Sequence, residues 1–560
     1  MLSVPTALTL FAAGLQTPQD GRAALEVLPV PHVSGQNQAI APPQWSTMLQ
    51  VVDGPDLLLA SNSDRQFPID GGVEFLRTLF AHDVENDTLH IDAVNDNLVL
   101  SGDSTIVGQV RERVKEIADA LLRPLEIEAT VWEAPAGDAP GGVLDPREFA
   151  EFTKNAKALW RARTIARSGR PVLLDGQRWT PYVRDIDVEV AQKATASQPT
   201  LASFGEGGRV VVLPHLLVSG DDVVVMTQFG LAQRRGAVRR QPTGVAGQPD
   251  LEVPTLETTF GACSGRIRNG GALAITETGD DSSGGRTMLT IRVAARTPPA
   301  ARTGARFGIF PCGALTCSAL TQRVSPPPTR PTEDEPGVEE EEGPGILTPE
   351  ALQDWIRASL GADAETTFSI HESGHHLFVS GNERTIPMVE TLLRGLEERL
   401  LQTVSVRTTG SLVPVDADNG PARRLHEIVF PSLHGRMGTV ARLLETNTIA
   451  GQAAEIAQEA TNHNPVVATL RAGTWIRVRT AAVGTGEHLE LLGQCMHFVP
   501  PQVQQTLPQG GLLGLTATAT SRFAHDGAVA KGQAVEHGDG PLVTIDGRTF
   551  RTTLATVVSW

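Results

Sequence analysis

The sequence is poor in aromatic side chains, in cysteine and in long apolar runs. Aromatic residues make up 4% of its 560 residues, Tyr182 is the single tyrosine, and there are four cysteines. Membrane-spanning strands usually carry aromatic girdles at both interfaces, so this scarcity argues against a chain that lines a membrane pore. No stretch approaches the ~20 continuous apolar residues of a transmembrane helix.

Basic side chains are also in deficit. Lysine and arginine total 47 against 64 aspartates and glutamates, which gives a formal net charge of −17. Nucleic acids and anionic membrane surfaces attract basic patches, so neither is expected as a main partner. With 40% hydrophobic and 20% charged residues, the composition is that of a globular protein of about two to four domains.

The common catalytic motifs are missing as well. The sequence has no glycine-rich phosphate loop, no Gly-x-Ser-x-Gly elbow and no clustered set of cysteines and histidines. We therefore expect a chain that is not an enzyme and that binds no cofactor and no metal.

The start of the chain has two interpretations. An uncharged apolar run covers 7–15 and resembles the core of a signal peptide, which assigns residues 1–20 to an export signal. The basic region that normally precedes such a core is absent, since the first arginine is Arg22, so a frayed start or a misplaced initiator is the alternative. Residues 21–65, with several prolines, read as a loop-rich segment.

One stretch occurs twice. Shifting the chain by 279 residues (370 minus 91) aligns 87–131 with 366–410 without a gap, so that Ile91 meets Ile370 and Leu98 meets Leu377. In both copies, alternation and an Asn/Asp or Gly turn predict two strands, and a stripe of apolar residues at helical spacing predicts a long helix after them. A shorter helical segment precedes each hairpin. A period this long indicates a duplicated domain rather than a solenoid, and we place the two copies at 66–123 and 346–402.

Each copy is followed by a segment that is rich in β-branched residues and in residues typical of hairpin turns. The first such region is 124–296, in which 145–166 is the one segment expected to be helical, and the second is 403–560, which is fainter. The clearest parallel aligns Gly473 with Gly208. Between them, 297–345 is proline-rich and then acidic, so we expect an extended linker that is either a solvated spacer or an acidic docking tail.

Two motifs could carry chemistry. Cys312 and Cys317 could close a small disulfide loop in an exported chain, and the alternative is a pair of thiols. His371, Glu372 and His375 match the HExxH pattern of zinc metallopeptidases, which requires both histidines one turn apart on a helix. The duplication aligns these residues with a strand and turn of the first copy, so we interpret the pattern as a coincidence and not as a metal site.

Several of these segments resemble one protein family in order and spacing. The long helix followed by Leu125–Ala134, then 162–177 with its Asp-Gly turn, then 205–215 and 221–225, is similar to the last periplasmic N-domain and the secretin domain of bacterial secretins. Secretins are the ring-forming outer-membrane gates of type II and type III secretion and of type IV pili. The resemblance covers 87–293; the second copy shares only its N-domain-like unit with the family.

The resemblance implies an α+β fold in which a small KH-like N-domain followed by a mainly antiparallel β domain occurs in tandem. It also implies an exported protein of the periplasm or outer membrane that forms a homo-oligomeric ring and works with other secretion or pilus components. The alternative is a secretin-derived periplasmic scaffold or adaptor that forms no pore, and the remote alternative is an HExxH zinc metallopeptidase.

Overall fold

The computed structural model describes residues 24–29, 39–40, 59–60 and 69–559, the last with gaps. The gaps are 95–96, 122, 135–139, 192–193, 244, 246, 279–285, 296–306, 318–345, 361–366, 371–375, 382–383, 416–421, 457–460, 484–485, 507–511, 531, 538–541 and 546–547. The candidate export signal at 1–20 and most of 21–65 lie outside the described residues.

Strands far outnumber helices in the described residues. The helices are α1 (Ile69–Leu79), α2 (Ala81–Glu85), α3 (Ser104–Leu121), α4 (Pro146–Asn155), α5 (Gly313–Thr316), α6 (Pro349–Leu360) and α7 (Thr385–Leu400). The strands up to residue 295 are β1 (Ala24–Pro29), β2 (Ala39–Ile40), β3 (Leu59–Ala60), β4 (Leu89–Val94), β5 (Asn97–Gly102), β6 (Pro124–Glu133), β7 (Gly142–Leu144), β8 (Lys157–Arg167), β9 (Val172–Ala191), β10 (Ala194–Leu216), β11 (Asp222–Arg234), β12 (Arg239–Gln241), β13 (Leu251–Val253), β14 (Thr255–Arg268), β15 (Ala272–Thr278) and β16 (Arg286–Ala295). The remaining strands are β17 (Phe307–Pro311), β18 (Thr367–Ile370), β19 (His376–Ser380), β20 (Thr403–Pro414), β21 (Arg423–Leu433), β22 (Met437–Ile456), β23 (Thr461–Val483), β24 (Gly486–Thr506), β25 (Leu512–Val529), β26 (Ala534–His537), β27 (Leu542–Ile545) and β28 (Arg548–Ser559).

The chain divides into two compact units, and the smaller one contains β1, α1, α2, β4, β5 and α3. Its three strands form an antiparallel sheet in the order β1-β5-β4. Helix α3 begins after Asp103, whose carboxylate accepts hydrogen bonds from the backbone of Thr105 and Ile106 and so caps the helix. The buried residues of α3 follow the predicted apolar stripe; they are Val107, Val110, Ile117 and Leu121.

The larger unit contains a second small assembly of the same element order. Strands β17, β19 and β18 form an antiparallel sheet in that order; along the chain, α6 lies between β17 and β18, and α7 follows β19. The strand order matches β1-β5-β4 of the smaller unit. Whether the two assemblies superpose as one duplicated fold remains a prediction.

Strand β17 corrects the predicted linker at 297–345. Residues 307–317 form β17 and α5, and the buried side chains of Phe310, Cys312 and Leu315 pack in a core with Leu377 and Leu393 of the second small assembly. Pairing with β19 supplies the hydrogen bonds and apolar contacts that five residues of sequence cannot reveal alone. Residues 318–345, with the acidic run, lie outside the described residues.

The segment 145–166 is also only partly as expected. Asp145 caps α4 through a capping box with Glu148, and Pro146 occupies the first helical position, where its missing N–H costs no hydrogen bond. The helix ends at Asn155, and the segment beyond it is strand β8, which pairs with β6. The prediction of a helix through Ala166 was therefore wrong beyond residue 155.

Two large antiparallel sheets make up most of the larger unit. Sheet I has the strand order β25-β24-β23-β22-β14-β11-β10-β9, and sheet II has the order β26-β28-β20-β21-β15-β16-β6-β8. Their inner faces pack on one another, since a single apolar core includes Leu125 and Ile127 of sheet II together with Val210, Val212 and Ile476 of sheet I. Two antiparallel sheets that pack face to face share one core of this kind, built from the inward-facing residues of both.

The strand order repeats within each sheet. We call β6 to β16 the first β half and β20 to β28 the second β half. In sheet I, the path β9-β10-β11-β14 of the first half is followed by β22-β23-β24-β25 of the second. In sheet II, the path β15-β16-β6-β8 has its counterpart in β26-β28-β20-β21. The second half is thus built from the same succession of hairpins as the first.

A pair of glycines fixes how the halves align. Gly207 in β10 and Gly473 in β23 both have positive φ, +127° and +145°, and each lies tightly against a backbone carbonyl of the preceding strand, those of Gly176 and Arg442. The alignment of Gly473 with Gly208 was therefore off by one residue. In a strand such a slip moves every side chain to the opposite face.

Candidate functional site: the joint between the two β halves

The two halves are joined edge to edge in both sheets. In sheet I, residues 255–262 of β14 pair antiparallel with 439–446 of β22. In sheet II, Thr276, Glu277 and Thr278 of β15 pair with β21. Backbone hydrogen bonds therefore carry each sheet without interruption from one half into the other.

A charged cluster lies at the centre of this joint. Arg442 of β22 stands directly opposite Thr259 of β14. Its guanidinium forms an ion pair with Glu257, and its Nε lies 3.6 Å from Oε2 of Glu277. The hydroxyl of Thr259 donates a hydrogen bond to the same carboxylate of Glu277. Because Glu277 belongs to sheet II, the cluster links both sheets and both halves.

Burial dominates the electrostatics of the cluster. The side chain of Arg442 is 16% exposed and that of Glu277 is 13% exposed. Burial raises the pKa of Glu277 to about 7, against the lowering effect of the Thr259 hydroxyl. Burial, together with repulsion from Arg235, lowers the pKa of Arg442 to about 10. A charge is costly to bury alone, and the ion pair between Arg442 and Glu257 offsets that cost across the joint between the two halves.

The second small assembly reinforces the joint. The carboxylate of Glu397, near the end of α7, accepts a hydrogen bond of 2.9 Å from the backbone N–H of Val218, in the turn between β10 and β11 of the first half. Arg266 of β14 donates from its backbone N–H to Thr403 at the start of β20 over 2.7 Å, while its guanidinium binds Asp222. An assembly that leads into the second half thus binds the first half.

Glu397 makes this contact sensitive to pH. Burial raises its pKa to about 7, against the lowering effects of the Val218 N–H, Arg266 and Arg394. Because the folded-state pKa is above the ordinary value, the stabilisation is fully present below about pH 4.5 and is lost as the pH rises through about 7. We expect wild-type protein to lose about 1–3 kcal/mol of stability from this group between pH 5 and 8.

Glutamine at position 397 should remove that part of the pH dependence, because its amide oxygen still accepts the Val218 N–H and carries no charge. Urea unfolding of E397Q at a series of pH values tests the expectation. The matched control is E398Q, which changes an exposed carboxylate one residue further along. Parallel pH profiles for E397Q and wild type would contradict the assignment.

The predicted site residues are placed only in part. His371, Glu372 and His375 lie outside the described residues, between β18, which ends at Ile370, and β19, which begins at His376. The interpretation of the HExxH pattern as a coincidence therefore stays a prediction. Zinc analysis of the purified protein and of the variant with alanine at both histidines tests it.

Cys312 and Cys317 flank the short helix α5. Cys312 is buried and Cys317 is half-buried, and the structure has no disulfide among the four cysteines of the described residues. Burial raises the pKa of the Cys317 thiol to about 12, and Nη2 of Arg436 donates to its carbonyl oxygen over 2.7 Å. The pairing of these two cysteines stays a prediction.

The structure brings together two further features that the sequence did not reveal. His488, Glu490 and Asp526, on neighbouring strands β24 and β25, come within 4.8 Å of one another at the surface, and Nε2 of His488 lies 2.9 Å from Asp526. A cavity of about 300 Å³ lies on β6 and β8, beside Glu128 and Arg163. Both depend on strand register, which alternation of residue types leaves open.

No protein-family model and no curated protein matches the chain. No helix in the described part of the chain is long and apolar enough to cross a membrane.

Several secretins are among the solved structures that match the chain. The chain is similar to the secretin InvG of the Salmonella SPI-1 type III secretion injectisome, with 14% identity and a TM-score of 0.21 over 50% of this chain and 89% of that one. It is similar to Aeromonas hydrophila ExeD, with 9% identity and a TM-score of 0.17 over 96% of this chain and 89% of that one. It is also similar to the type IV competence pilus secretin PilQ of V. cholerae, with 10% identity and a TM-score of 0.16 over 34% of this chain and 69% of that one. With TM-scores this low, these similarities by themselves assign no function to the chain.

Proposed function

We propose that this chain is a secretin-like, non-enzymatic structural component of a protein-export machine in the cell envelope, of the type II or type III secretion or type IV pilus kind. One observation carries the proposal: two packed antiparallel sheets run through both β halves, and within the described residues no further strand pairs beyond β9 and β25 in one sheet or beyond β8 and β26 in the other. The resemblance of 87–293 to secretins supports the same proposal from the sequence.

Open strand edges are a liability in a soluble monomer, because their free N–H and C=O groups template pairing with other chains. A head-to-tail interface whose rotation closes removes all such edges by forming a ring. Export to the periplasm or outer membrane, assembly into a homo-oligomeric ring, and contact with other secretion or pilus components belong to this proposal.

A second candidate function is a secretin-derived periplasmic scaffold or adaptor that keeps the fold and forms no pore. It is favoured by the aromatic content of 4% and by the position of Tyr182. This tyrosine is 2% exposed, and its hydroxyl accepts a hydrogen bond of 3.1 Å from Asn447. A tyrosine held inside the protein cannot serve as an interfacial anchor of the kind that membrane-spanning strands use.

Fractionation and sizing of the full-length protein separate these functions. We expect it in the envelope fraction of an expressing cell, and we expect light scattering and electron microscopy of the extract to show a ring of many copies. A ring that requires detergent for extraction supports a component that spans the membrane. A ring released without detergent supports the periplasmic scaffold or adaptor. A monomer in the cytoplasmic fraction would contradict both.

A further inference from the structure

The outer edges of the two sheets are equivalent to the edges that meet inside the chain. In sheet I, β9 occupies in the first half the place that β22 occupies in the second, and β25 occupies the place of β14. In sheet II, β8 corresponds to β21 and β26 corresponds to β15. The pairs β14·β22 and β15·β21 form the internal joint. The strands β25 and β9, like β26 and β8, are therefore equivalent to the two sides of that joint. They lie at opposite ends of the same sheets, and no strand of the described residues covers their outer edges.

The register across sheet I repeats along with the strands. Successive cross-strand partners form one row that passes through both glycines of positive φ. The row is Gln177, Gly207, Ala232, Thr258, Leu443, Gly473, Met496 and Thr520. Since Thr258 faces Leu443 at the internal joint, continuing the row places Thr520 of one chain opposite Gln177 of the next.

The exposed side chains mark the same edge. Ile165 and Leu159 of β8 are 60% and 46% exposed, whereas the equivalent strand β21 is buried along most of its length beside the first half. Trp179 of β9 is 37% exposed. Its counterpart on β22, the residue that likewise lies two positions from the row, is Glu445, and this side chain is buried at the joint. The edge strands β8 and β9 thus expose side chains at places where their equivalents β21 and β22 are covered by the first half.

We propose that these edges bind a second copy of this chain, and that β25 of one copy pairs antiparallel with β9 of the next in the register of β14 with β22. Strand β26 then meets β8 of the same neighbour. Each chain is equivalent to two successive subunits, so a closed ring contains an even number of β halves and alternates covalent with non-covalent joints. This inference rests on the proposed function for its claim that the chain assembles, and it adds the surface, the partner and the register.

The register brings complementary charges together. The row that contains Phe260 and Ala441 at the internal joint ends at Asp175 on β9 and at Arg522 on β25. Both end residues are exposed. Opposite charges directly across an antiparallel pair stabilise it, and like charges would oppose it.

Cysteine cross-linking tests the interface directly. Residues opposite one another in an antiparallel pair have Cα atoms about 4.5–5.5 Å apart, which is within the span of a disulfide. D175C and R522C are placed on two full-length chains with different tags, which are co-expressed, exported and oxidised. We expect a mixed dimer that reducing agent splits, and a chain with both substitutions should form a ladder of linked copies.

Three controls accompany it. The wild-type chain measures the background from the four native cysteines. T255C with T446C in one chain should form an intrachain disulfide, because these residues pair at the internal joint. A528C, also exposed on β25 but six positions out of register, should not link to D175C.

The results separate this interface from the proposed function. A large ring by light scattering without the 175–522 link, or with a stronger 175–528 link, would overturn the interface and leave the envelope function in place. A monomeric extract would overturn the interface, and fractionation of the same sample would then decide separately whether the protein belongs to the envelope.

Discussion

Replacing Arg442 by methionine is expected to lower the free energy of unfolding by about 2–4 kcal/mol. The substitution keeps much of the apolar volume of the side chain but removes its charge, so Glu257 loses its ion-pair partner and Glu277 loses a nearby cation. Breaking a largely buried pair by removing one partner is costly because the remaining charge stays partly desolvated. The lost stability should come from the joint between the two β halves, where these three side chains meet.

Urea unfolding followed by tryptophan fluorescence measures this effect, because Trp475 is buried against Ala441 beside the cluster. The control is R479M, which removes an exposed arginine 3.9 Å from Glu490 and should cost less than about 1 kcal/mol. Adding E257Q and E277Q to R442M should recover part of the stability, since neither carboxylate is then left without its cation. A loss for R442M no larger than that for R479M would show that the cluster does not hold the halves together.

Local patterns predicted the parts of the fold that depend on local chemistry. The apolar stripe of α3, the hairpins of both copies and the antiparallel β domain follow from periodicity, turn residues and caps. Alternation also predicts that a strand has a buried face, as in β20, where alternate residues are buried. None of these signals identifies which other strand a given strand pairs with.

The parts that were missed depend on contacts between distant residues. Strand β17 is too short to be recognised, and it forms because β19, more than sixty residues further on, offers it a free edge. Beyond Asn155 the apolar residues of β8 continue the spacing of a helix, but this segment forms a strand because it pairs with β6. The joint requires Arg442 to meet Glu257 and Glu277, which no spacing in the sequence indicates.

Replacing Gly207 or Gly473 by alanine is expected to lower the free energy of unfolding by about 2–4 kcal/mol. The two losses should be similar. Both residues have positive φ, which a side chain with a Cβ rarely adopts. In both, the added Cβ would collide with a backbone carbonyl of the neighbouring strand, that of Gly176 or that of Arg442, and backbone in a long hairpin cannot move aside as a flexible side chain can.

The matched control is G435A, at a turn with φ of +73° and open space around the position of a Cβ. It carries the cost of the backbone conformation without the collision and should lose about 1 kcal/mol. Equal losses for G207A and G473A, well above that of G435A, are expected if the two halves share one register, because the same close approach then occurs once in each. If one of the two variants were as stable as G435A, the row of cross-strand partners through Gly207 and Gly473 would not be equivalent in the two halves. The register proposed for β25 against β9, which is copied from that equivalence, would then be contradicted.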